Sequence, residues 1–167
     1  VQVSDNHLKA RWYIENLSEL SYEQLCDAMT YKFFRLNTLY HIKDKQGKKV
    51  LFKPNAEQES FYTQQHGRDI ILKARQLGFT TFKMISDLDD CLFVENFSAG
   101  CICHNMDSAK DIFRNKIKFA YSNISESQKE VIAEIGYTLP TPTSDKGNAY
   151  VFSNGSSIKV GTSYRGD

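Results

Sequence analysis

Apolar positions along this chain recur with two periods, and the changes between them mark the expected elements. Residues 7–30 read as helical. Leu8, Trp12, Ile14 and Leu17 give a loose apolar stripe, and Ser21-Tyr22-Glu23-Gln24 has the capping-box form that opens a helix. Residues 38–42 and 50–52 are apolar and β-prone. The lysine-rich stretch 43–49 between them predicts a β-hairpin with a charged tip. Pro54 ends that strand, and Asn55 is placed to cap a helix running to about residue 66. Ile70-Ile71-Leu72 is short and apolar throughout, the pattern of a buried parallel strand. Phe82, Ile85, Leu88 and Leu92 follow helical spacing over 80–94, which leaves Asp87, Asp89 and Asp90 expected on the solvated side. Residues 98–103 predict a second short core strand. Residues 107–122 predict a helix capped by Asn105 or Asp107, with the stripe Ile112, Phe113, Ile117, Ala120 and Tyr121. A short helix is expected over 126–135, opened by Ser125 and Gln128. The stretch 139–144 reads as extended loop. Two β-prone runs around Asn154-Gly155, within 149–160, carry the strongest hairpin signal in the chain.

Strand, helix, strand, helix from residue 70 onward argues for an α/β fold with a parallel sheet and covering helices, preceded by a helical segment. The 167 residues, 41% apolar and 25% charged, suit a folded domain with a sizeable core. A net charge of +1 names no partner, so binding to nucleic acid requires a local basic face. Lys43, Lys45, Lys48 and Lys49 at the hairpin tip read most simply as a solvated turn; a phosphate-backbone contact is the sharper alternative. No apolar run approaches the ~20 residues of a membrane span. Residues 1–11 are mostly polar, unlike a secretory leader. Cys101 and Cys103 fall on one side of a strand, and Cys26 and Cys91 fall in helical patterns. Four reduced thiols fit better than a zinc site. His7, His41, His66 and His104 are scattered and match no metal-ligand spacing.

The candidate chemistry lies in residues 70–81. An apolar run ends in a basic, Gly-containing turn, and a helical pattern follows. That is the order of a phosphate-binding loop, in which backbone N–H groups and a helix N-terminus cradle anionic oxygens. The usual pattern is Gly, four residues, Gly-Lys, then Ser or Thr. Gly78 stands at the second glycine and Thr80 at the hydroxyl, but Lys73 replaces the first glycine and Phe79 the lysine. Gln58, one turn into the preceding helix, carries an amide able to read the N6 and N7 edge of adenine. Hydrolysis also needs a carboxylate on the metal, normally at the end of a neighbouring apolar strand. No run after Thr80 closes in Asp or Glu in that way: 101–103 leads into His104-Asn105, and 150–152 into Ser153-Asn154.

Phe-Lys-Pro-Asn-x-x-Gln at 52–58, Lys-Ala-Arg-Gln-Leu-Gly-Phe-Thr-Thr at 73–81, Ser-Asn-Gly-Ser-x-Ile-x-Val-Gly-Thr-Ser at 153–163 and Arg-Gly at 165–166 together resemble the N-terminal ATPase region of the large terminase subunit. That subunit is the motor that pumps DNA into the procapsids of tailed phages. The resemblance covers roughly residues 50–167, with residues 1–50 resembling the helical lead-in. It implies an ASCE-type P-loop NTPase fold, ATP and Mg²⁺ as ligands, and the following roles. Gln58 would read adenine, with Pro54 setting its helix. Lys73, Ala74, Arg75, Gln76, Leu77, Gly78, Phe79, Thr80 and Thr81 would form the phosphate loop, its cation supplied by Lys73 or Arg75. Thr80 would hold Mg²⁺, and Arg165 would act as a finger in a neighbouring subunit's site. The resemblance further implies an acidic strand just beyond Asp167, an RNase H-like nuclease domain absent from this chain, and a 167-residue fragment that hydrolyses ATP poorly. Double-stranded viral DNA, the portal protein and the small terminase subunit are the implied partners, in a ring homo-oligomer in the host cytoplasm, with no membrane. Another P-loop translocase or helicase-like ATPase, or a non-catalytic binding module with a merely basic loop, are the alternatives.

Overall fold

The computed structural model describes residues 4–72 and 78–163. Helices α1 (Asp5–Glu15), α2 (Tyr22–Met29) and α3 (Lys32–Thr38) lead into a hairpin of β1 (His41–Lys43) and β2 (Lys49–Leu51). After α4 (Ala56–Gln64) comes the long helix α5 (Phe79–Phe93), then β3 (Ser98–Cys103). Helix α6 (Met106–Ile112), a π-helical stretch (Phe113–Lys118) and α7 (Phe119–Ser122) follow. Helix α8 (Glu126–Glu134) precedes β4 (Pro142–Asp145), β5 (Ala149–Phe152) and β6 (Ser157–Thr162).

The helix starts are local chemistry. Ser21, Asn55 and Ser125 each accept from the N–H three residues on, and Gln24, Gln58 and Gln128 reach back to complete capping boxes. Asn105, rather than Asp107, caps α6. Helix α3 has no side-chain cap and no expected counterpart in the sequence pattern. Its Phe33, Phe34, Arg35, Leu36 and Asn37 are all buried, so contact with α1 and α5 holds it rather than propensity.

The sheet runs β3-β6-β5-β4 and is mixed: β3 and β6 are parallel, the other pairs antiparallel. The expected α/β class holds, and the expected parallel pairing is limited to β3 with β6 among the described strands. The Asn154-Gly155 turn folds β5 back onto β6, and residues 142–145, expected as loop, add a further antiparallel strand. Tyr150, Phe152, Ile158 and Val160 alternate inward into the core. Val151, Lys159 and Ile102 point the other way and are exposed, Ile102 by 75%. Among the described strands β3 is at the edge of the sheet, with one face packed on the core through Ala99, Cys101 and Cys103 and the other exposed.

One core runs from Phe34, Leu36 and Tyr40 through Phe82, Ile85, Leu88 and Leu92 to Ile117, Ile132 and Val160. Three expectations fail against it. Ile70 and Leu72 are 98% and 100% exposed, and Ile70-Ile71-Leu72 forms no strand. Three apolar residues become a buried strand only where a sheet edge receives their N–H and C=O groups, and none of the described strands pairs with them. Of the expected stripe, Leu8 and Trp12 of α1 and Leu17 just beyond it face outward and Ile14 is half-buried against the core, while His7, Ala10 and Tyr13 of α1 are buried. Ala10, fully buried, lets α1 approach closely, and Tyr13 donates to Asp27 at 2.6 Å and packs edge-on against Phe34. Asp87 and Asp89 are buried, not solvated. Asp89 lies four residues after Ile85 and three before Leu92, squarely in the inward stripe.

Candidate functional site

Of the sequence-predicted site residues, the described ones lie where α4 begins and where α5 begins. Pro54, half-buried, precedes the Asn55 cap. Gln58, the third residue of α4, is 4% exposed, and its amide oxygen accepts from the Asn55 N–H at 3.1 Å. Part of this amide's capacity is therefore spent on capping its own helix, although a carbonyl oxygen keeps a second lone pair.

Across from it stands Gly78, with φ +69° and ψ 9°, the N-cap of α5. A left-handed backbone is costly for residues with a Cβ. The space is closed as well: a Cβ at Gly78 would lie 2.9 Å from the Gln58 amide nitrogen. Gln58 and Gly78, twenty positions apart in sequence, are thus in contact through the bare Cα of the glycine. No side chain caps α5, whereas Ser4, Ser21, Asn55, Asn105 and Ser125 cap α1, α2, α4, α6 and α8. Thr80 is exposed and Thr81 half-buried in the first turn of α5.

Phe79 takes a different part from that of a phosphate-binding lysine. It is 8% exposed and meets Phe61 of α4 edge-on at 5.8 Å and Phe82 at 6.4 Å; Phe61 and Phe82 meet at 6.2 Å. Burying a phenylalanine contributes about 1.5–3 kcal/mol, so position 79 clamps α5 onto α4. An open groove of about 470 Å³ runs beside it between α4 and residues 66–72, lined by Phe61, Gln64, Ile71 and Phe79. A depression of about 540 Å³ on the open sheet face, around Asn148, Val151 and Lys159, shares no lining residue with the Gln58–Gly78 contact.

Lys73, Ala74, Arg75, Gln76 and Leu77, and Arg165, lie outside the described residues. Among the described residues, no group of three His, Cys, Asp or Glu side chains is placed to hold a metal ion. Strand β3 ends at Cys103 and β6 at Thr162, without a carboxylate at either end. Of the two threonine hydroxyls in the first turn of α5, that of Thr80 belongs to the exposed residue.

The residues that position this junction carried no local signal. Glu59, next to Gln58, accepts from Arg11 Nη1 at 2.6 and 2.7 Å and hydrogen-bonds the buried His7 Nε2 at 2.9 Å, tying α1 to α4. Asp89 accepts from Arg35 at 3.0 and 2.7 Å and from the Tyr40 hydroxyl at 2.7 Å. Burial works against the Arg35 charge, but the facing carboxylate more than offsets it and raises its pKa; burial and Asp89 also drive the Tyr40 phenol well above 10. The 153–157 motif is structural as well. Asn154 donates to the Cys91 carbonyl at 3.0 Å, and the buried Ser156 hydroxyl donates to the Val94 carbonyl at 2.8 Å, closing the C-terminal end of α5. These partners stand 48 to 63 residues apart in sequence, beyond the reach of any periodic pattern.

No family model matches the chain, and no curated protein matches it. Among the described residues no helix is long and apolar enough to cross a membrane.

Proposed function

We propose that this chain is the ATP-binding part of a large terminase subunit, a P-loop ATPase of the ASCE type that drives double-stranded viral DNA into procapsids. The observation that supports it most is the contact between Gln58 and Gly78, a candidate adenine reader and the end of a candidate phosphate loop. The N-terminus of α5 adds to it: its Gly78 N-cap offers no side-chain cap, and a helix dipole favours an anion there. On this reading Gln58 and Pro54 form the base side of the site, and Thr80 gives Mg²⁺ one oxygen, the ion's other ligands coming from nucleotide and water. Lys73 or Arg75 supplies the charge on the β- and γ-phosphates, because Phe79 is committed to packing. Arg165 serves a neighbouring subunit in a ring on the portal, in the host cytoplasm, with the small terminase subunit delivering DNA.

Calorimetry with a non-hydrolysable ATP analogue and Mg²⁺ tests this. The chain is expected to bind, and Gln58→Ala and Arg75→Ala are each expected to weaken binding by about tenfold or more, the loss of a hydrogen bond to a charged or buried group. Comparing Lys73→Ala with Arg75→Ala ranks the two cations. Turnover by the 167-residue chain is expected to be slow, since neither strand of the parallel pair β3 and β6 ends in a carboxylate. Robust Mg²⁺-dependent turnover lost in Thr80→Ala would contradict that. A non-catalytic binding module is the second reading, favoured by the engagement of the Gln58 oxygen in its own helix cap. Absence of analogue binding selects it.

A further inference from the structure

The chain carries a net charge of +1, yet two segments hold far more. Residues 41–51 contain four lysines and one aspartate; residues 106–122 contain four basic and two acidic side chains, a combined +5. The fold brings them together. Lys43 of β1 lies 5.0 Å over the Phe119 ring and 3.5 Å from the Asn115 side-chain oxygen. The hairpin is therefore laid against the helix that carries Lys110, Arg114, Lys116 and Lys118.

The lysines of this surface are poorly compensated from within. Lys43 pairs directly with Lys49 across the hairpin, an arrangement of like charges that weakens a two-stranded ribbon. Asp44, the one acid of the tip, spends its carboxylate on the N–H groups of Gln46 and Lys48 at 2.9 and 2.8 Å. Among the described residues, Lys43, Lys45, Lys48, Lys49, Lys110 and Lys116 make no ion pair. By contrast, Lys9, Lys32, Lys83 and Lys129 each face a carboxylate within 2.9 Å. Arg114 and Lys118 do have partners, Asp111 and Asp145, but these are exposed. A π-helical stretch widens the turn that bears Arg114, Lys116 and Lys118, an irregularity often found at functional sites.

We propose that the β1–β2 hairpin and the π-helical stretch form one basic surface that binds the phosphate backbone of duplex nucleic acid. Lysine on two adjoining ridges suits a regular array of phosphates, and such contacts position a duplex without reading its sequence. Binding of unpaired bases needs exposed aromatic rings for stacking. Here Phe119 is half-buried beneath Lys43, and no exposed aromatic side chain lies in either described segment. Seating on a membrane needs a broad apolar face; Val50 and Leu51, each 36% exposed, and Met106 on α6 do not form one. The surface stands on charge and packing, independently of the nucleotide site.

Fluorescence anisotropy with a short mixed-sequence DNA duplex over a salt series tests the assignment. Binding is expected to weaken steeply with salt. The double substitution Lys43→Glu with Lys49→Glu is expected to weaken it at least tenfold and to lower the log–log salt slope by about two, one for each lysine–phosphate pair removed. Lys116→Glu lowers it on the other ridge, and Lys129→Glu on α8 leaves it unchanged. Lys43 and Lys49 are exposed and Lys116 and Lys129 half-buried, so circular dichroism and thermal unfolding unaltered in each variant identify a binding effect. The proposal is overturned if the chain does not bind duplex at low salt, or if the double substitution and Lys116→Glu bind like wild type. It is equally overturned if single strands, or vesicles of anionic lipid, bind more tightly than duplex through the same lysines. Calorimetry with the ATP analogue on the same variants separates the two sites: intact nucleotide binding with these losses, or the reverse, assigns failure to one alone.

Discussion

Helix α5 ends in two different ways. Towards its C-terminus, Asp89 receives Arg35 and Tyr40, Asp90 receives Lys32 at 2.7 Å, and the Cys91 and Val94 carbonyls receive Asn154 and Ser156. Arg35 also donates to the Met29 and Thr30 carbonyls at 3.0 Å each and stacks 3.9 Å over Phe93. Nearly every polar group there has a partner. At the N-terminus, Gly78 turns the chain in a left-handed conformation, and among the described residues no side chain caps the helix, while Phe79, Phe61 and Phe82 pack against one another. Among the described residues, then, α5 is held at one end by a satisfied polar network and at the other by apolar packing. The cost of burying charge is met far from the loop, where it fixes the helix.

The largest break in this contrast is at the anchored end. Asp89→Ala leaves Arg35 buried and unpaired and is expected to cost about 3–5 kcal/mol in urea denaturation. Replacing both partners, Arg35→Met with Asp89→Leu, together with Tyr40→Phe, is expected to recover most of it, because neither an orphan charge nor an orphan Tyr40 hydroxyl remains. A loss below about 1 kcal/mol in the single variant would show that the network does not hold α5. Next comes Phe79→Lys, which restores the residue of the usual phosphate loop. It is expected to cost about 3 kcal/mol, as for other losses of a large apolar side chain from a core, and to leave nucleotide affinity no better. A gain in affinity would show that position 79 faces the phosphates.

Gly78→Ala is expected to cost about 1–2 kcal/mol, from a positive φ and a Cβ 2.9 Å from Gln58. Thermal unfolding checks it, and a neutral result would mean the Gln58 side chain yields. The smallest effect concerns the basic hairpin. Burial, and then the neighbouring Lys49, hold the His41 pKa below its ordinary 6.5. A base with a lowered folded pKa favours the fold while neutral. This stabilisation is present above the unfolded value and is lost as pH falls through the folded one. Proton NMR titration is expected to show the His41 pKa rising in Lys49→Gln, and rising again on addition of duplex. An unmoved His41 would mean that the lysine charge is already compensated.

Some of this molecule was legible one element at a time. Ser21, Asn55 and Ser125 announce helix starts because a cap hydrogen bond spans three residues. Asn154-Gly155 announces a hairpin because the turn supplies its own backbone geometry. The 82, 85, 88, 92 stripe of α5 is likewise a property of the helix alone. The candidate loop was legible as an order of residue types, and Gln58 as an amide just upstream of it.

Other features depend on what comes to lie opposite. Ile70-Ile71-Leu72 has the composition of a buried strand, but a strand exists only with a partner, and none of those described receives it. Leu8 and Trp12 look inward and face out, because α3 meets the other side of α1 at Ala10. Asp89 looks solvated and is the anchor of the core, because Arg35, 54 positions earlier, is folded against it. By itself the sequence determined where helices begin, where the last hairpin turns and which residues could cradle a phosphate. All of these are set by hydrogen bonds and torsions within a few residues. Only the tertiary structure decided that Gln58 touches Gly78, that Phe79 is packing, and that two lysine-bearing segments share one surface. Those are matters of which distant surfaces meet, and no local periodicity encodes them.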